Sequence, residues 1–458
     1  MHLGDSCLCA DYRRIMKRLI ILVLLICVCT NGCNFLSTIE PALEKQSNSE
    51  TGGYGPFVLA FNFAMQKDSV EDHIQILPKT LLDFYWEENK IFIYPRVGLE
   101  PDREYLLVLQ EGSMTESGDV ISRELSWKLK AHAKCIVYIG DATKSPELWR
   151  LCQGEELPDQ LTNTGGRIYD FEVSYDGNLI VYSRINEKNG TEIWIIDRRG
   201  LNTESILDCV ESICGDLTLS ADNKWLAFTR RVSGTMNGNN SSKSQIVIMN
   251  LATNEEFVLL ENESIAPSEM MFSPRGNYLS FYEGNSGSFW IINLDTQRIE
   301  KLDSDIALGG TWTSDGNGFI YVTPQYWGGI PYDIVQLWDI SNNYGQYLFG
   351  DETEQFEYYY PQWQPGGDWI LTATRPVRGS SSKQLWLISP DGSKSLQITD
   401  QEVSTHSSYS WSPNGKEVVY QRYAMAGNDA VPEIAIWNLD GQKMAIVATD
   451  ATSPKWLP

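Results

Sequence analysis

Positively charged residues and histidines are scarce in this 458-residue chain. It has 36 lysines and arginines against 60 aspartates and glutamates, a formal net charge of −24 at pH 7, and four histidines. A field of that sign repels phosphate backbones, so nucleic acids are excluded as partners. Four histidines also offer too few ligands for a multi-histidine metal centre or for repeated His–Asp pairs. We therefore expect no metal site and no cofactor.

The N-terminal hydrophobic run is too short to span a bilayer comfortably. Leu19–Cys29 follows the basic residues Lys17 and Arg18, which is typical of an export signal. The next four residues, Thr30–Cys33, resemble a bacterial lipobox, in which a small residue precedes a diacylated cysteine. The resemblance implies a signal segment over 1–33, lipidation of Cys33 and a membrane-anchored protein of the cell envelope. An uncleaved anchor and an ordinary signal peptide remain alternatives, and residues 34–53 predict a tether.

Cysteine is also sparse beyond the signal segment. Five of the nine cysteines lie in or next to it, so four remain in the exported body, namely Cys135, Cys152, Cys209 and Cys214. An even number in an oxidising compartment predicts two disulfides. Cys135 begins an apolar strand and Cys152 ends the next, so a hairpin would place them opposite each other. Cys209 and Cys214 could close a small loop, and free thiols remain an alternative.

Residues 54–133 show the pattern of a small β-sandwich. Apolar residues alternate along Phe57–Phe63, Ile91–Pro95, Tyr105–Leu109 and Leu125–Leu129, with turns between these segments. The stretches Phe63–Val70, Tyr94–Pro101 and Tyr105–Gly112 resemble the bacterial immunoglobulin-like domain of S-layer proteins. The resemblance implies a spacer or adhesive module without chemistry of its own.

From Cys135 onward one unit recurs at intervals of 40 to 53 residues, which predicts a repeat architecture. Each unit contains a tight turn, then an apolar strand such as Leu179–Tyr182, then a second strand such as Ile193–Asp197. Asp, Asn and Gly accept the positive φ of such turns. The turns are Ser174–Gly177, Ser220–Asn223, Ser273–Gly276, Thr313–Gly316, Gln364–Gly367 and Ser412–Gly415.

These units resemble the TolB-like, WD-type propeller repeat, in which a Ser-Pro-Asp-Gly-Lys turn precedes an aromatic-aliphatic strand and an Ile-Trp pair. The resemblance implies an all-β fold with a propeller over 134–458. Residues 135–162 supply a unit without its opening strand, and Thr452–Pro458 resembles such a strand. We therefore expect the two ends to share one blade, which removes free sheet edges. That composite blade brings the count to about seven, with six as the alternative.

The insertions and aromatic residues favour one face of the ring as the binding surface. Segments 231–244, 324–333, 375–383 and 423–432 lengthen connections that emerge on that face. The candidate partner-binding residues there are Tyr326, Trp327, Tyr332, Tyr358, Tyr359 and Tyr360, and packing of several of them over the ring mouth is the alternative.

The function expected from the sequence is binding rather than catalysis. The chain has no Gly-x-Ser-x-Gly elbow and no single carboxylate pair that stands out as a glycosidase dyad. The prediction is a non-enzymatic envelope lipoprotein that binds another envelope protein through the loop-rich face. The alternative is a carbohydrate-binding or carbohydrate-active protein whose ligand is a surface glycan.

Overall fold

In a computed structural model of the chain, the described residues are 42–43, 50–51, 53, 55–101, 103–232, 235–236, 239–240, 243–260, 264–304, 309–351, 356–377, 382–399, 403–424 and 431–458. The predicted signal segment with Cys33, and most of the predicted tether, lie outside them. Within these ranges no helix is both long and apolar enough to cross a membrane. The secondary structure is almost entirely β.

The N-terminal part forms two four-stranded sheets around one core. Its elements are β1 (Ala42–Leu43), β2 (Glu50–Thr51), β3 (Phe57–Ala60), α1 (Lys67–Glu71), β4 (Ile74–Leu77), β5 (Leu82–Glu87), β6 (Lys90–Pro95), β7 (Glu104–Leu109) and β8 (Leu125–Ala131). The strand orders are β1-β3-β6-β5 and β2-β8-β7-β4. Along β6, Ile91 and Ile93 enter the core between the sheets, whereas Phe92 and Tyr94 pack on the opposite face. That outer face is therefore apolar and needs a partner.

From Cys135 onward the described residues form seven four-stranded antiparallel sheets and one small two-stranded ribbon. The first nine strands are β9 (Cys135–Gly140), β10 (Glu147–Cys152), β11 (Asp159–Gln160), β12 (Ile168–Val173), β13 (Leu179–Ile185), β14 (Thr191–Asp197), β15 (Thr203–Asp208), β16 (Ser212–Leu219) and β17 (Trp225–Val232). The ribbon and the next sheets comprise β18 (Thr235–Met236), β19 (Asn239–Asn240), β20 (Lys243–Asn250), β21 (Glu256–Leu259), β22 (Pro267–Phe272), β23 (Tyr278–Glu283), β24 (Ser288–Asn293) and β25 (Ile299–Asp303).

The remaining strands complete three sheets and close the first. They are β26 (Gly310–Trp312), β27 (Gly318–Trp327), β28 (Ile330–Asp339), β29 (Tyr344–Phe349), β30 (Phe356–Trp363), β31 (Ile370–Pro376), β32 (Gln384–Ile388), β33 (Ser395–Gln397), β34 (Ser404–Trp411), β35 (Glu417–Ala424), β36 (Glu433–Asn438), β37 (Lys443–Thr449) and β38 (Ala451–Leu457). The first sheet has the order β11-β10-β9-β38, so the C-terminal strand joins the strand that begins at Cys135. This arrangement is that of a β-propeller, as the repeats predict.

The repeated turns are held by their own side chains. The Ser174 hydroxyl donates to the Asp176 carboxylate at 2.7 Å and accepts the N–H of Leu179 at 2.8 Å. The same hydroxyl-to-carboxylate bond joins Thr313 to Asp315 at 2.6 Å. Each turn therefore forms from residues within a few positions of one another, which explains why the motif is visible in the sequence.

Hydrogen bonds link the innermost strands of all seven sheets in a closed circuit. Trp456 Nε1, for example, donates to the Ser410 carbonyl at 3.2 Å, and its side chain is only 8% exposed. The other six links run from Leu217 N to Asp170, from Phe272 N to Thr218 Oγ1, from Trp312 Nε1 to the Met271 carbonyl, from Thr311 Oγ1 to the Pro361 carbonyl, from Gln362 Nε2 to the Tyr409 carbonyl, and from Lys455 Nζ to the Phe171 carbonyl. The ring has no open seam along these strands.

Disulfides and the hydrogen bonds of a buried arginine stabilise the propeller. The structure joins Cys135 to Cys152 and Cys209 to Cys214 by disulfides, the two pairs that the sequence suggested. The buried guanidinium of Arg198 donates to the carbonyls of Gly177 and Pro458 at 3.0 Å each, and to that of Ala133 at 2.9 Å. One side chain thus joins the C-terminus, a turn and the start of the propeller.

The N-terminal sandwich packs directly on the ring. We call the end that carries the repeated turns the turn end and the opposite end the loop end. The rings of Tyr94 and Tyr175 meet edge to face at 6.1 Å, and the N–H of Gly98 donates to the Pro413 carbonyl at 2.9 Å. The ion pairs Lys224–Glu87 at 2.8 Å and Lys416–Glu100 at 2.7 Å lie at the edge of this contact. The sandwich therefore covers the turn end.

Candidate functional site

The six aromatic residues predicted to form one binding surface lie in three different places. Tyr326 and Tyr332 belong to the hairpin of β27 and β28, where the register pairs Tyr326 with Pro331. These two strands have ten residues each, so the hairpin extends at the loop end. Tyr326 is 65% exposed, and Tyr332 is half-buried. Trp327 is part of the same hairpin, but its side chain lies outside the described residues.

Tyr358 and Tyr359 are buried between sheets rather than displayed. Tyr358 is 3% exposed and packs edge to face on Phe349, with ring centroids 5.4 Å apart. The Tyr359 hydroxyl donates to the Glu357 carboxylate, and Lys383 Nζ lies 3.7 Å from the centre of its ring. Both side chains therefore serve in packing, as the alternative held, but they pack between sheets and not over the ring mouth. The shared partner-binding role stays a prediction for the exposed members of the set.

Tyr360 points toward the axis of the ring. A β-bulge between Tyr359 and Gln362 breaks the alternation of β30, and Tyr360 has a φ of 45° and is 41% exposed. Bulges interrupt the innermost strand of six of the seven sheets in the described residues. Five of these bulges contain a residue with positive φ, namely Asp216, Glu269, Tyr360, Ser408 and Ser453.

Four of these residues share one position in the repeat, four residues before the first residue of a repeated turn. This position is occupied by Asp170, Asp216, Glu269, Gly309, Tyr360 and Ser408, and Gly309 belongs to the sheet whose innermost strand has no bulge among its described residues. The common spacing of these residues from the turns is visible in the sequence, whereas aromatic character distinguishes only Tyr360.

A cavity of about 660 Å³ lies on the axis beside the bulges, and we call it the axial cavity. Its wall combines aromatic rings, hydroxyls and charged groups. Among the lining residues are Asp170, Glu172, Tyr360, Ser408, Ser453 and Lys455. The deep wall includes Tyr175 and Pro413, the residues on which the sandwich packs, so the cavity is covered at the turn end.

Tyr360 and Glu269 form a hydrogen-bonded pair beside this cavity. The Tyr360 hydroxyl donates to Glu269 Oε1 at 3.0 Å. A Cβ atom on Gly309 would lie 2.0 Å from Tyr360 Cδ1, so the ring can cross the intervening sheet only because residue 309 is glycine. Burial raises the pKa of Glu269 to about 7, with a further increase from the charge of Asp216, although the bond from Tyr360 opposes the shift. Glu269 can therefore gain or lose a proton near neutral pH.

Lys455 lies between two carboxylates on the cavity wall. Its Nζ donates to Glu172 Oε2 at 2.7 Å and to the Phe171 carbonyl at 2.9 Å. Burial is the largest single influence on the pKa of Lys455 and lowers it, but the charges of Glu172 and Asp170 outweigh burial, so the pKa is raised. The Asp170 carboxylate accepts the backbone N–H groups of Phe171 and Leu217. The wall therefore carries charges of both signs, with an excess of negative charge.

No protein-family model and no curated protein matches the chain. Solved structures do match it. An oligogalacturonate lyase from Vibrio parahaemolyticus has 13% sequence identity and a TM-score of 0.53, over 79% of this chain and 97% of that one. An oligogalacturonate lyase in complex with manganese has 14% identity and a TM-score of 0.51 over the same shares. TolB from Acinetobacter baumannii has 17% identity and a TM-score of 0.41, over 79% and 81%.

The described residues do not offer a ligand set for an ion such as the manganese of that lyase complex. No group of three or more His, Cys, Asp or Glu side chains among them is arranged to hold a metal. The likeness at these identities concerns the fold.

The prediction that the chain is not an enzyme is wrong. Two enzymes share its fold over nearly their whole length, so a propeller of this form gives no reason to exclude catalysis.

Proposed function

We propose that this chain is an exported, lipid-anchored envelope protein that binds a carbohydrate in the axial cavity and exchanges a proton with it through Glu269. In this proposal the seven sheets are the blades of a seven-bladed propeller, and the N-terminal sandwich is an immunoglobulin-like domain. The observation that carries the proposal is the cavity with Tyr360 on its wall, because the hydroxyl of this tyrosine bonds to Glu269, a carboxyl group with a pKa of about 7.

The size and lining of the cavity suit a small, hydroxyl-rich ligand. Pockets for such ligands typically measure about 300–1,000 Å³ and combine apolar walls with a few polar groups, and this one measures about 660 Å³. The face of Tyr360 can stack on a sugar ring, while Ser408 and Ser453 can exchange hydrogen bonds with its hydroxyls. The two similar lyases act, by name, on an oligosaccharide, which supports the same class of ligand for this chain.

Access to the cavity favours ligands that enter from the loop end. The sandwich packs behind Tyr175 and Pro413 at the turn end, so a polymer cannot pass through the ring. We therefore expect the protein to bind short oligomers or chain ends.

Calorimetric titration of the detergent-solubilised full chain with a panel of oligosaccharides tests the binding. Tyr360→Ala should weaken the binding of the preferred oligomer by about tenfold or more, since a central aromatic contact dominates a small interface. Tyr344→Ala is the matched control, because Tyr344 is 65% exposed on the outer strand β29. If no oligosaccharide binds, or if both variants bind alike, the carbohydrate function is wrong.

Turnover of the bound oligomer tests the proton exchange. Hydrolysis would release reducing ends, whereas elimination would release an unsaturated product that absorbs ultraviolet light. Glu269→Gln should abolish either product while the oligomer still binds, and the rate of the unmodified protein should change with pH around 7. A variant that retains full turnover would exclude Glu269 from the reaction.

The β27–β28 hairpin favours a second candidate function, the binding of an envelope protein at the loop end. Tyr326 and Ile330 are 65% and 69% exposed at its tip, and exposed aromatic and aliphatic residues on a projecting hairpin suit a protein interface. Crosslinking in the native envelope should yield a partner that is lost in Tyr326→Ser but retained in Tyr344→Ser. Equal yields from both variants would reject the hairpin as the interface.

Lipid attachment at Cys33 has its own test. Metabolic labelling with a radioactive fatty acid should mark the unmodified protein and not the Cys33→Ser variant, which should move from the membrane to the soluble fraction. Labelling of the variant would place the anchor elsewhere.

A further inference from the structure

The charges on the cavity wall decide which carbohydrates it can accept. The charged residues that line the cavity are Asp170, Glu172 and Lys455, two acids against one base. Lys455 has three N–H groups, and two of them are already donated to the Glu172 carboxylate and the Phe171 carbonyl. It is therefore committed to the wall and has little capacity left for an anionic ligand.

Asp170 differs from Lys455 in that the groups that hold it are uncharged. Its carboxylate is held by two backbone N–H groups, which orient it without neutralising its charge. In the part of the chain that the structure describes, the wall offers one cation, Lys455, to both Asp170 and Glu172, and Lys455 forms its ion pair with Glu172. Asp170 therefore contributes a net negative charge to the cavity.

Two more acids lie beside the wall on the neighbouring innermost strands. Glu269 bonds to Tyr360, which lines the cavity, and Asp216 is the residue at the same repeat position one sheet earlier. Arg231 approaches Asp216 at 3.3 Å but is nearly half exposed to solvent, which weakens its effect. Together four carboxylates, those of Asp170, Glu172, Asp216 and Glu269, face two cations, Lys455 and Arg231, so the balance is −2 when all are ionised.

We infer that the axial cavity selects ligands that carry positively charged amines, so that, within the proposed function, its carbohydrate is an oligomer of an amino sugar with free amines. A uronate would place its carboxylate against an excess of like charge, which costs binding energy in a partly desolvated cavity. An ammonium group would instead pair with Asp170 and lie near the ring of Tyr360, where cations are attracted to the aromatic face. The two similar lyases, named for an anionic oligosaccharide, differ from this chain in that respect.

The test is calorimetric titration of the full chain with four tetramers, those of glucosamine, N-acetylglucosamine, galacturonic acid and lysine. The glucosamine tetramer should bind about tenfold or more tightly than its acetylated form, and the galacturonate tetramer should not bind measurably. The preference should shrink in high salt, because screening weakens exposed charge pairs.

Two variants connect the preference to the cavity. Asp170→Asn and Glu269→Gln should each reduce the ratio between the glucosamine tetramer and its acetylated form several-fold. Glu204→Gln removes one exposed carboxylate from the outer strand β15 and should leave the ratio unchanged. An equal effect of the three variants would mean that the net charge of the chain, and not the cavity, causes the preference.

The four ligands distinguish a failure of this inference from a failure of the proposed function. Tighter binding of the galacturonate tetramer, or equal binding of the neutral one, would overturn the amine preference and leave the carbohydrate function in place. If tetralysine binds as tightly as the glucosamine tetramer and loses affinity in Asp170→Asn, the amine preference stands and the carbohydrate function falls. Failure of all four tetramers to bind would overturn the amine preference, and failure of the whole oligosaccharide panel would overturn the carbohydrate function as well.

Discussion

The two ends of the ring differ in their structure and in the role that this structure suggests. At the turn end, short hydroxyl-to-carboxylate bonds hold three of the repeated turns, Arg198 ties the C-terminus to the body, and the sandwich covers the surface. At the loop end, the β27–β28 hairpin extends with Tyr326 and Ile330 exposed, and the axial cavity is accessible. The difference suggests that one end stabilises the protein and the other interacts with ligands. Substitutions at the two ends should therefore differ in their effects on stability.

The largest effect is expected at Arg198. In Arg198→Met the carbonyls of Ala133, Gly177 and Pro458 lose their shared donor inside the protein. Hydrogen bonds to a charged group contribute about 1.5–3 kcal/mol each, with incomplete additivity, so the free energy of unfolding should fall by about 3–5 kcal/mol in urea. Arg199→Met, at the exposed neighbouring position, should change it by less than about 0.5 kcal/mol. Similar losses of unfolding free energy in both variants would show that Arg198 does not help to close the ring.

A pair of glycines gives the next largest contrast. Gly366, at the turn end, has a φ of 62°, and a Cβ atom there would lie 2.0 Å from Val97 of the sandwich. Gly328, at the tip of the hairpin, has a φ of 59°, and no atom lies within 4 Å of its Cβ position. Gly328→Ala should cost only the backbone strain, about 1 kcal/mol, whereas Gly366→Ala should cost about 2–4 kcal/mol because Val97 must also move.

Thermal unfolding of the two alanine variants, measured under the same conditions, checks this contrast. Equal melting temperatures would mean that the sandwich does not press on the turn end at Gly366.

The sequence revealed the propeller because its determinants are local. The residues of each turn bond to one another within a few positions, and the C-terminal strand, which completes the first sheet, resembles the opening strand of a repeat. The contact between the sandwich and the ring could not be foreseen, because it joins residues such as Gly98 and Pro413 that are distant in the chain and carry no shared pattern. A contact between residues that are distant in the chain leaves no local pattern in the sequence.

The three consecutive tyrosines show the same limit within the site. Strict alternation would place Tyr358 and Tyr360 on one side of β30 and Tyr359 on the other. Tyr358 and Tyr359 do alternate, and both are buried, at 3% and 8% exposure, because each packs in a different core cluster. Tyr360 faces the cavity because the bulge that follows Tyr359 adds a residue to the strand. The composition of the segment predicted an aromatic surface, but only the backbone geometry assigns each ring. The positions of Asp170 and Glu269 at or beside the cavity likewise follow from the backbone geometry and not from the composition.

At the cavity, the expected effect is smaller and depends on pH. The pKa of Glu269 is about 7 in the folded protein, against an ordinary value of 4.5, so ionisation of this residue opposes folding as the pH rises through this range. Below about pH 4.5 the residue is neutral in both states, and Glu269→Gln should have little effect on stability. Above pH 7 the variant should be more stable than the unmodified protein by about 1–3 kcal/mol.

Urea unfolding at pH 4.5, 6 and 8 measures this difference, with Glu204→Gln as the control for the loss of one negative charge. A Glu269→Gln variant that is less stable at pH 8 would show that the carboxylate is needed for folding, contrary to its placement at a ligand site.

The smallest effect is expected for the ion pair at the edge of the sandwich contact. Lys416 Nζ lies 2.7 Å from Glu100 Oε1, but the two side chains are 48% and 40% exposed, so water and salt screen their attraction. The pKa of Lys416 is raised, mainly by the hydrogen bond to Glu100, so this contribution to stability would be lost only above the ordinary lysine range. Lys416→Met should therefore lower the free energy of unfolding by less than about 1 kcal/mol, and Lys443→Met, on the outer strand β37, by about as little. A loss of more than about 2 kcal/mol for Lys416→Met alone would mean that ion pairs hold the sandwich on the turn end, rather than the apolar contact around Tyr94 and the fit of Val97 against Gly366.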